Sequence, residues 1–282
     1  MTRVAVLGTG KMGGAIARRL KTGGFTVAVW DRNKSKAEAL DVGPAAESPA
    51  DAVRDADVTI SMVTGPQAVH DIYFGPAGIL VAAAGKTLVE MSTTGPAIGR
   101  ELAGAAAQKG ANLIQAPVIG SVPAVDRGTL VILASAERVE DLERARPVLQ
   151  RLGELNYVGG IGNAPTLKLV ANSMLAIVSA AAAELIAAGH RDGLDPAQVF
   201  SVLTRVVPGL KVREAGFLDG VHQPAMFAVR DLVKDLDLGL ALYQPPVPFT
   251  LLARQFFAAV EAQTPDFDIS AIVNTYEKEN AR

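Results

Sequence analysis

The sequence predicts an α/β protein: an N-terminal doubly wound, mostly parallel sheet, followed by an all-α C-terminal half joined to it by a long helix. Three observations predict this. A strand, a glycine-rich turn, a helix and a second strand ending in an acid fit within residues 3–31. Strand-like apolar runs then alternate with helical patterns as far as Val158, as in a parallel sheet covered on both faces. Beyond Asp195 no strand-like run is found.

Arg3 to Leu7 reads as a short buried strand, and Gly8-Thr9-Gly10-Lys11-Met12-Gly13 follows it as G-x-G-x-x-G. An amphipathic helix then runs to about Lys21, stopped by Gly23-Gly24, and Phe25 to Trp30 makes a second strand ending at Asp31. Gly8 makes the tight turn, Gly10 lets backbone approach a pyrophosphate, and Gly13 lets helix and strand pack closely. The helix start then offers N–H groups and its positive end to phosphates. This is the pattern of a Rossmann-type dinucleotide-binding unit, so Gly8, Thr9, Gly10, Lys11, Met12 and Gly13 are candidate cofactor residues. Asp31, 18 residues past Gly13, can accept hydrogen bonds from a ribose 2′-OH and would repel a 2′-phosphate. Arg32, with Lys34 and Lys36 nearby, can clamp that phosphate instead. The choice between NAD and NADP stays open on these residues.

Ser48-Pro49 reads as an N-cap and first helical residue, Val58 to Val63 as a strand, and Thr64-Gly65-Pro66 as the turn into another helix. Further strands are expected at Thr87–Met91, Asn112–Ala116, Thr129–Ser135 and Leu155–Val158, with an alanine-rich helix ending at Gln108. Ligands of such sheets bind beyond the carboxyl ends of the strands. The turns at Gly8–Gly13, Val63-Thr64, Ser92–Thr94 and Ala116–Ser121 should therefore line one crevice.

From Pro165 to Gly189 the chain reads as one helix, apolar nearly all round, which marks a buried element. Lys168 and Asn172 lie four apart on it, on one face. Two readings stand: a lysine whose stem packs while its ammonium reaches water, and a lysine held in a cleft to exchange a proton beside an orienting asparagine. Ala180 to Ala183 form a small-residue face that would admit another long helix, as in a second subunit. Helices are then expected from Asp195-Pro196, over Val229–Tyr243, after the Pro245–Pro248 break, and from Ser270.

At 282 residues the chain suits one large domain or two, divided here as residues 1–162 and 163–282. It is 49% hydrophobic and 20% charged, and its formal net charge of −2 provides no basic footprint for nucleic acid. Zero cysteines exclude disulfides and thiolate chemistry. The chain enters its first strand at once, without room for a signal peptide, so a cytoplasmic location is expected. Leu175–Ala188 is shorter than the ~20 apolar residues a bilayer requires, and Glu184 interrupts it, so no membrane partner is expected. Histidines 70, 190 and 222 make no metal spacing.

Several motifs in order resemble the β-hydroxyacid dehydrogenase family, over nearly the whole chain. GTGKMGGAIARRL resembles its opening fingerprint, and Ser92-Thr93 its nicotinamide-side S-T pair. Gln115-Ala116-Pro117-Val118-Ile119-Gly120-Ser121 resembles its substrate signature D-A-P-V-S-G-G. Gly159 to Asn172 resembles G-x-x-G-x-G-x-x-x-K-x-x-x-N, and Lys234-Asp235 its K-D motif. The resemblance implies an NAD(P)-dependent oxidoreductase acting on a small 3-hydroxy acid or semialdehyde, in a homodimer or homotetramer formed through the helical half. It implies Lys168 as general acid/base, Asn172 as its partner, and Thr93 and Lys234 at the cofactor. Val118, Ile119, Gly120 and Ser121 would hold the substrate. Gln115 stands where the family has an acid, Ile119 where it has a carboxylate-holding serine, and Ser121 where it has a glycine. Imine reductases resemble the family in fold but replace its lysine; Lys168 remains here, and the altered substrate loop keeps NADPH-dependent imine reduction as the alternative. A non-catalytic dinucleotide-binding module is a second.

Overall fold

The computed structural model describes residues 2–277 and divides into two compact units, residues 1–168 and 169–282. The first unit begins β1 (Arg3–Leu7), α1 (Lys11–Thr22), β2 (Thr26–Trp30), α2 (Lys34–Glu38), α3 (Pro49–Arg54), β3 (Val58–Ser61) and α4 (Gly65–Phe74). It continues with β4 (Thr87–Glu90), α5 (Pro96–Gln108), β5 (Asn112–Gln115), β6 (Val118–Ile119), α6 (Val122–Arg127), β7 (Leu130–Ala136), α7 (Arg146–Leu152) and β8 (Gly153–Tyr157). The sheet runs β2-β1-β3-β4-β5-β7-β6, with β8 beside β7. β1 to β5 pair parallel, β7 runs antiparallel to β5 and β6, and β8 is parallel to β7.

The strands are apolar on both faces because both faces are covered. Val4 and Val6 pack into one hydrophobic cluster with Ile16, Leu20 and Ile60, while Ala5 and Leu7 pack into another with Val69, Leu88 and Leu102. This is the two-residue alternation of a strand dividing its side chains between two layers. The Ser48 hydroxyl caps α3 by accepting from the Asp51 amide.

Three differences from the sequence reading stand out. The third strand stops at Ser61, leaving Met62 to Thr64 as a turn. The last strand starts at Gly153, where a Cβ would lie 2.0 Å from the Leu130 carbonyl oxygen, so only glycine admits that pairing. And Val118-Ile119, expected as loop, forms β6, because β7 is long enough to pair with it as well as with β5 and β8.

Helix α8 (Asn163–Arg191) begins in the first unit, and the division falls between Lys168 and Leu169. The second unit continues with α9 (Pro196–Val206), α10 (Glu214–Leu218), α11 (Val229–Leu242), α12 (Pro248–Glu261) and α13 (Asn274–Glu277), and has no strand among its described residues. Its core joins Ala176, Ala182, Ala183 and Ile186 of α8 to Phe200, Leu232, Leu236 and Phe257. The small-residue face is thus partly used within the unit: Ala182 and Ala183 are buried, and Ala181 is exposed. Val170, Met174 and Leu185 are exposed, so α8 is not buried all round. By length and composition alone α8 would cross a bilayer, with half its apolar window buried inside the protein. The last helix is preceded by a 3-10 turn at Ile269–Val273. Asp268 caps that turn through the Ser270 amide, accepts from the Met226 and Phe227 amides, and pairs with the buried Arg213 guanidinium at 3.0 Å.

Two glycines of α5 should respond oppositely to alanine. A Cβ on Gly99 would lie 1.6 Å from Gln115 Nε2, and Gln115 is buried and hydrogen-bonded. Overpacking costs about 1–3 kcal/mol, more than the ~1 kcal/mol alanine gains in a helix, so Gly99→Ala should lower stability in urea denaturation. Gly104 meets nothing within 4 Å, and Gly104→Ala should raise it.

Candidate functional site

The sheet order reverses between β1 and β3, and a doubly wound sheet opens its ligand crevice at such a point. Gly8 sits there with φ +93°, where a Cβ would lie 2.3 Å from the Met62 carbonyl oxygen. A Cβ on Gly13 would lie 1.9 Å from the Gly8 carbonyl oxygen, so α1 packs directly on the turn. Gly10, the N-cap of α1, differs: a Cβ would meet nothing within 4 Å, and Gly10 makes no side-chain capping bond to the helix. That is the cradle a pyrophosphate requires.

Beside it lies a cleft of about 510 Å³ whose walls include Gly8, Gly10, Trp30, Asp31, Arg32, Lys36, Met62, Val63 and Thr64. Six of the sequence-predicted residues thus meet in one cleft. Thr9 supports the wall: its amide and hydroxyl donate to Asp31 Oδ2 at 2.7 and 2.9 Å, while Asn33 N donates to Oδ1. Burial pushes the Asp31 pKa up, but these bonds and the nearby Lys36 ammonium outweigh it and hold the carboxyl below its usual range. Asp31 is therefore charged at neutral pH. Met12 packs on the core beneath the turn, and Lys11 is exposed at the helix start.

Thr93 is half-buried in the turn after β4, next to a polar cluster the sequence reading missed. Glu90, the last residue of β4, is fully buried. Its Oε2 accepts from the Ser61 hydroxyl and its Oε1 from the Ser92 amide at 2.7 Å. Tyr73 Oη lies 3.0 Å from Ser61 Oγ, and Ser92 Oγ accepts from the Val63 amide at 2.9 Å. Burial raises the Glu90 pKa to about 7, against the hydroxyl and amide donors around it. A charged residue closing the apolar strand Thr-Leu-Val-Glu was the available signal.

Gln115 is likewise buried, and its Oε1 accepts from Ser135 Oγ and from Gly162 N at 2.6 Å. Where the family pattern has an acid, this chain has an amide that anchors the loop feeding α8. In the substrate signature Val118 is buried and Ile119 is 41% exposed. Gly120 has φ +130°, and a Cβ there would crowd Leu130. Ser121 is the N-cap residue of α6, yet its hydroxyl makes no capping bond.

Lys168, half-buried, is the last residue of the first unit. In the second, Asn172 is buried, and its Nδ2 donates to Asp235 Oδ2 at 2.6 Å. Lys234 Nζ meets the other oxygen of Asp235 at 2.8 Å. Asn172 and Lys234 are thus joined through Asp235, the acid of the K-D pair. A carboxylate only accepts, so the Asn172 amide must turn its NH₂ to Asp235, leaving Oδ1 as the acceptor on its other side.

Residues 3–162 match the family model described as the NAD binding domain of 6-phosphogluconate dehydrogenase. Residues 162–276 match that described as NAD-binding of NADP-dependent 3-hydroxyisobutyrate dehydrogenase. The chain is 34% identical to a 3-hydroxyisobutyrate dehydrogenase of Pseudomonas aeruginosa, over 98% of this chain and 99% of that one. The solved 3-hydroxyisobutyrate dehydrogenase of Mycobacterium tuberculosis, with L-serine, superposes with a TM-score of 0.85 at 26% identity, covering 98% and 99% of the two chains. Cytokine-like nuclear factor N-PAC of Anopheles gambiae is 31% identical over 89% of this chain, which spans 46% of that protein. The glycine cradle, the acid closing β2 and matches running through both units lead to one assignment: the chain belongs to the β-hydroxyacid dehydrogenase family, as an NAD(P)-dependent oxidoreductase.

Proposed function

We propose that this protein interconverts a small 3-hydroxy acid and its semialdehyde-type carbonyl with NAD(P), with Lys168 as general acid/base and Asn172 as its partner. The observation that carries this reading is Asn172: buried, one helical turn from Lys168, with its NH₂ committed to Asp235. Its Oδ1 is then free in orientation to take a proton donor, either the substrate hydroxyl or the Lys168 ammonium.

Bound at Gly8–Gly13, the nicotinamide cofactor supplies the hydride-transfer chemistry. The chain's part is position and proton. In reduction, the Lys168 ammonium steadies the charge growing on the carbonyl oxygen and donates the proton to it. In oxidation the neutral amine accepts that proton from the alcohol. Lys234, held by Asp235, would add positive charge near Asn172. Val118 to Ser121 would face the substrate. Ile119 offers no hydroxyl there, so we propose a substrate bound with more apolar contact than a hydroxy acid held by serine. We place the domain boundary at 162/163, the protein in the cytoplasm, and self-association as a dimer or tetramer through the helical unit.

Two readings compete with this one. Imine reduction draws support from Ile119, and a non-catalytic module from the likeness to N-PAC. The retained Lys168 and Asn172 favour alcohol–carbonyl chemistry over both. A panel of 3-hydroxy acids, semialdehydes and cyclic imines, run with NAD(H) and NADP(H), separates them. Turnover of imines alone, or of nothing despite dinucleotide binding, would replace our reading.

Lys168→Ala should cut turnover ~10²–10⁴-fold, the usual share of general acid–base help, while dinucleotide still binds. Retention of most activity would refute the role. Trp30, the sole tryptophan, lines the cleft, so its fluorescence should fall on titration with NADH or NADPH. With both Asp31 and Arg32 in the wall, both cofactors should bind. Arg32→Ala should weaken NADPH about tenfold, the loss of one charge-assisted hydrogen bond, and leave NADH unchanged.

A further inference from the structure

Glu90 is a costly choice of residue. A fully buried carboxyl at the end of an otherwise apolar strand is destabilising unless hydrogen bonds offset its lost hydration. One oxygen faces the buried Ser61 hydroxyl, and the bonds of the other run through Ser92 towards the cleft. Ser92 Oγ has one proton and two lone pairs. One lone pair receives the Val63 amide at 2.9 Å, and the proton is taken by Glu90, whose own Oε1 also receives the Ser92 amide. Val63 and Thr64 are cleft wall, and Met62 is the residue whose carbonyl meets Gly8. Each link in this chain lies within the first unit.

We propose that Glu90 is a positioning residue for the dinucleotide: through Ser92 it fixes the Met62–Thr64 turn against Gly8, and it does so best as a carboxylate. This rests on assigning the cleft to the dinucleotide. Ionised, Glu90 accepts from the Ser61 hydroxyl and from both donors of Ser92, which locks the Ser92 lone pair on the Val63 amide. Protonated, it donates to Ser61 Oγ, whose own proton turns towards the Val89 carbonyl or Tyr73. The Ser92 hydroxyl then loses its strong acceptor, and the clamp loosens.

The groups facing Glu90 do not titrate with it. Ser61 faces it from β3 and Gln115 pairs with it from β5, both neutral. Tyr73 faces it from α4, and burial raises its phenol well above the usual range, so it stays protonated. The remaining charged groups of α4 and the start of α5, namely His70, Asp71, Arg100 and Glu101, are exposed. A carboxyl pKa raised on folding means the native state holds the proton more tightly than the unfolded chain. Its contribution to stability is whole below about 4.5 and is lost as pH rises to about 7.

The test is binding of NADH, whose lack of a 2′-phosphate avoids a second group titrating at about 6, followed through Trp30 between pH 5.5 and 8.5. In the wild type the dissociation constant should fall about three- to tenfold as pH rises through about 7, the worth of one ordinary hydrogen bond. Glu90→Gln should bind at the weaker value and show no such transition, and its melting temperature should lose the wild type's decline between pH 5 and 7. Ser92→Ala should bind as weakly as Glu90→Gln, and Ser92→Thr, which keeps the hydroxyl, should recover. These two keep the question answerable if Glu90→Gln does not fold. Wild-type pH dependence in Glu90→Gln, or wild-type affinity in Ser92→Ala, overturns the inference alone. Failure of the wild type to bind NADH or NADPH overturns the cleft assignment and the inference together.

Discussion

The first unit depends on a close approach of two backbones. At the point where strand order reverses, Gly8 comes so near the Met62 carbonyl that a Cβ would lie 2.3 Å away. No side chain fits, so only glycine lets the turn after β1 lie against the turn after β3. Gly13 repeats the demand one layer up, where α1 rests on the Gly8 carbonyl. The cleft follows from these contacts. Its position is set by topology before any polar residue is considered.

Charge is placed in this framework by two routes. Asp268 in the second unit is buried, but it has a cation, the Arg213 guanidinium, and three backbone amides. Glu90 in the first unit is buried among hydroxyls and an amide, all neutral. Neutral donors recover part of the lost hydration of a carboxylate but supply no opposite charge, so desolvation dominates and the proton is held to about pH 7. The first arrangement anchors a loop. The second leaves an acid poised between two hydrogen-bonding patterns, beside a turn that lines the cleft.

What the sequence disclosed and what it hid divide along the range of the interactions. The β1–turn–α1–β2 segment was legible because the need for glycine is local, set by backbone sterics within a few residues. The Ser48 cap was legible for the same reason, bonding three residues ahead. Glu90 and Asp235 were not, since their partners Ser61 and Asn172 lie 29 and 63 residues away. The strand β6 was missed because two residues carry no period, and it exists only because β7 pairs beside it. Helix α8 shows a different limit. Apolar composition predicted burial all round, yet Met174 is 60% exposed, because composition counts apolar side chains without saying whether this chain supplies the surface that covers them.

The second unit shows how one such long-range contact can define chemistry. An asparagine amide is ambiguous: either end can turn towards a neighbour. Asp235 removes the ambiguity, because a carboxylate offers no proton and the Asn172 NH₂ is the only end that can bond to it at 2.6 Å. Lys234 Nζ lies 2.8 Å from the other oxygen. An ion pair between sequence neighbours would thus decide which atom Asn172 presents on its far side, so the K-D pair acts on that atom through the amide it orients.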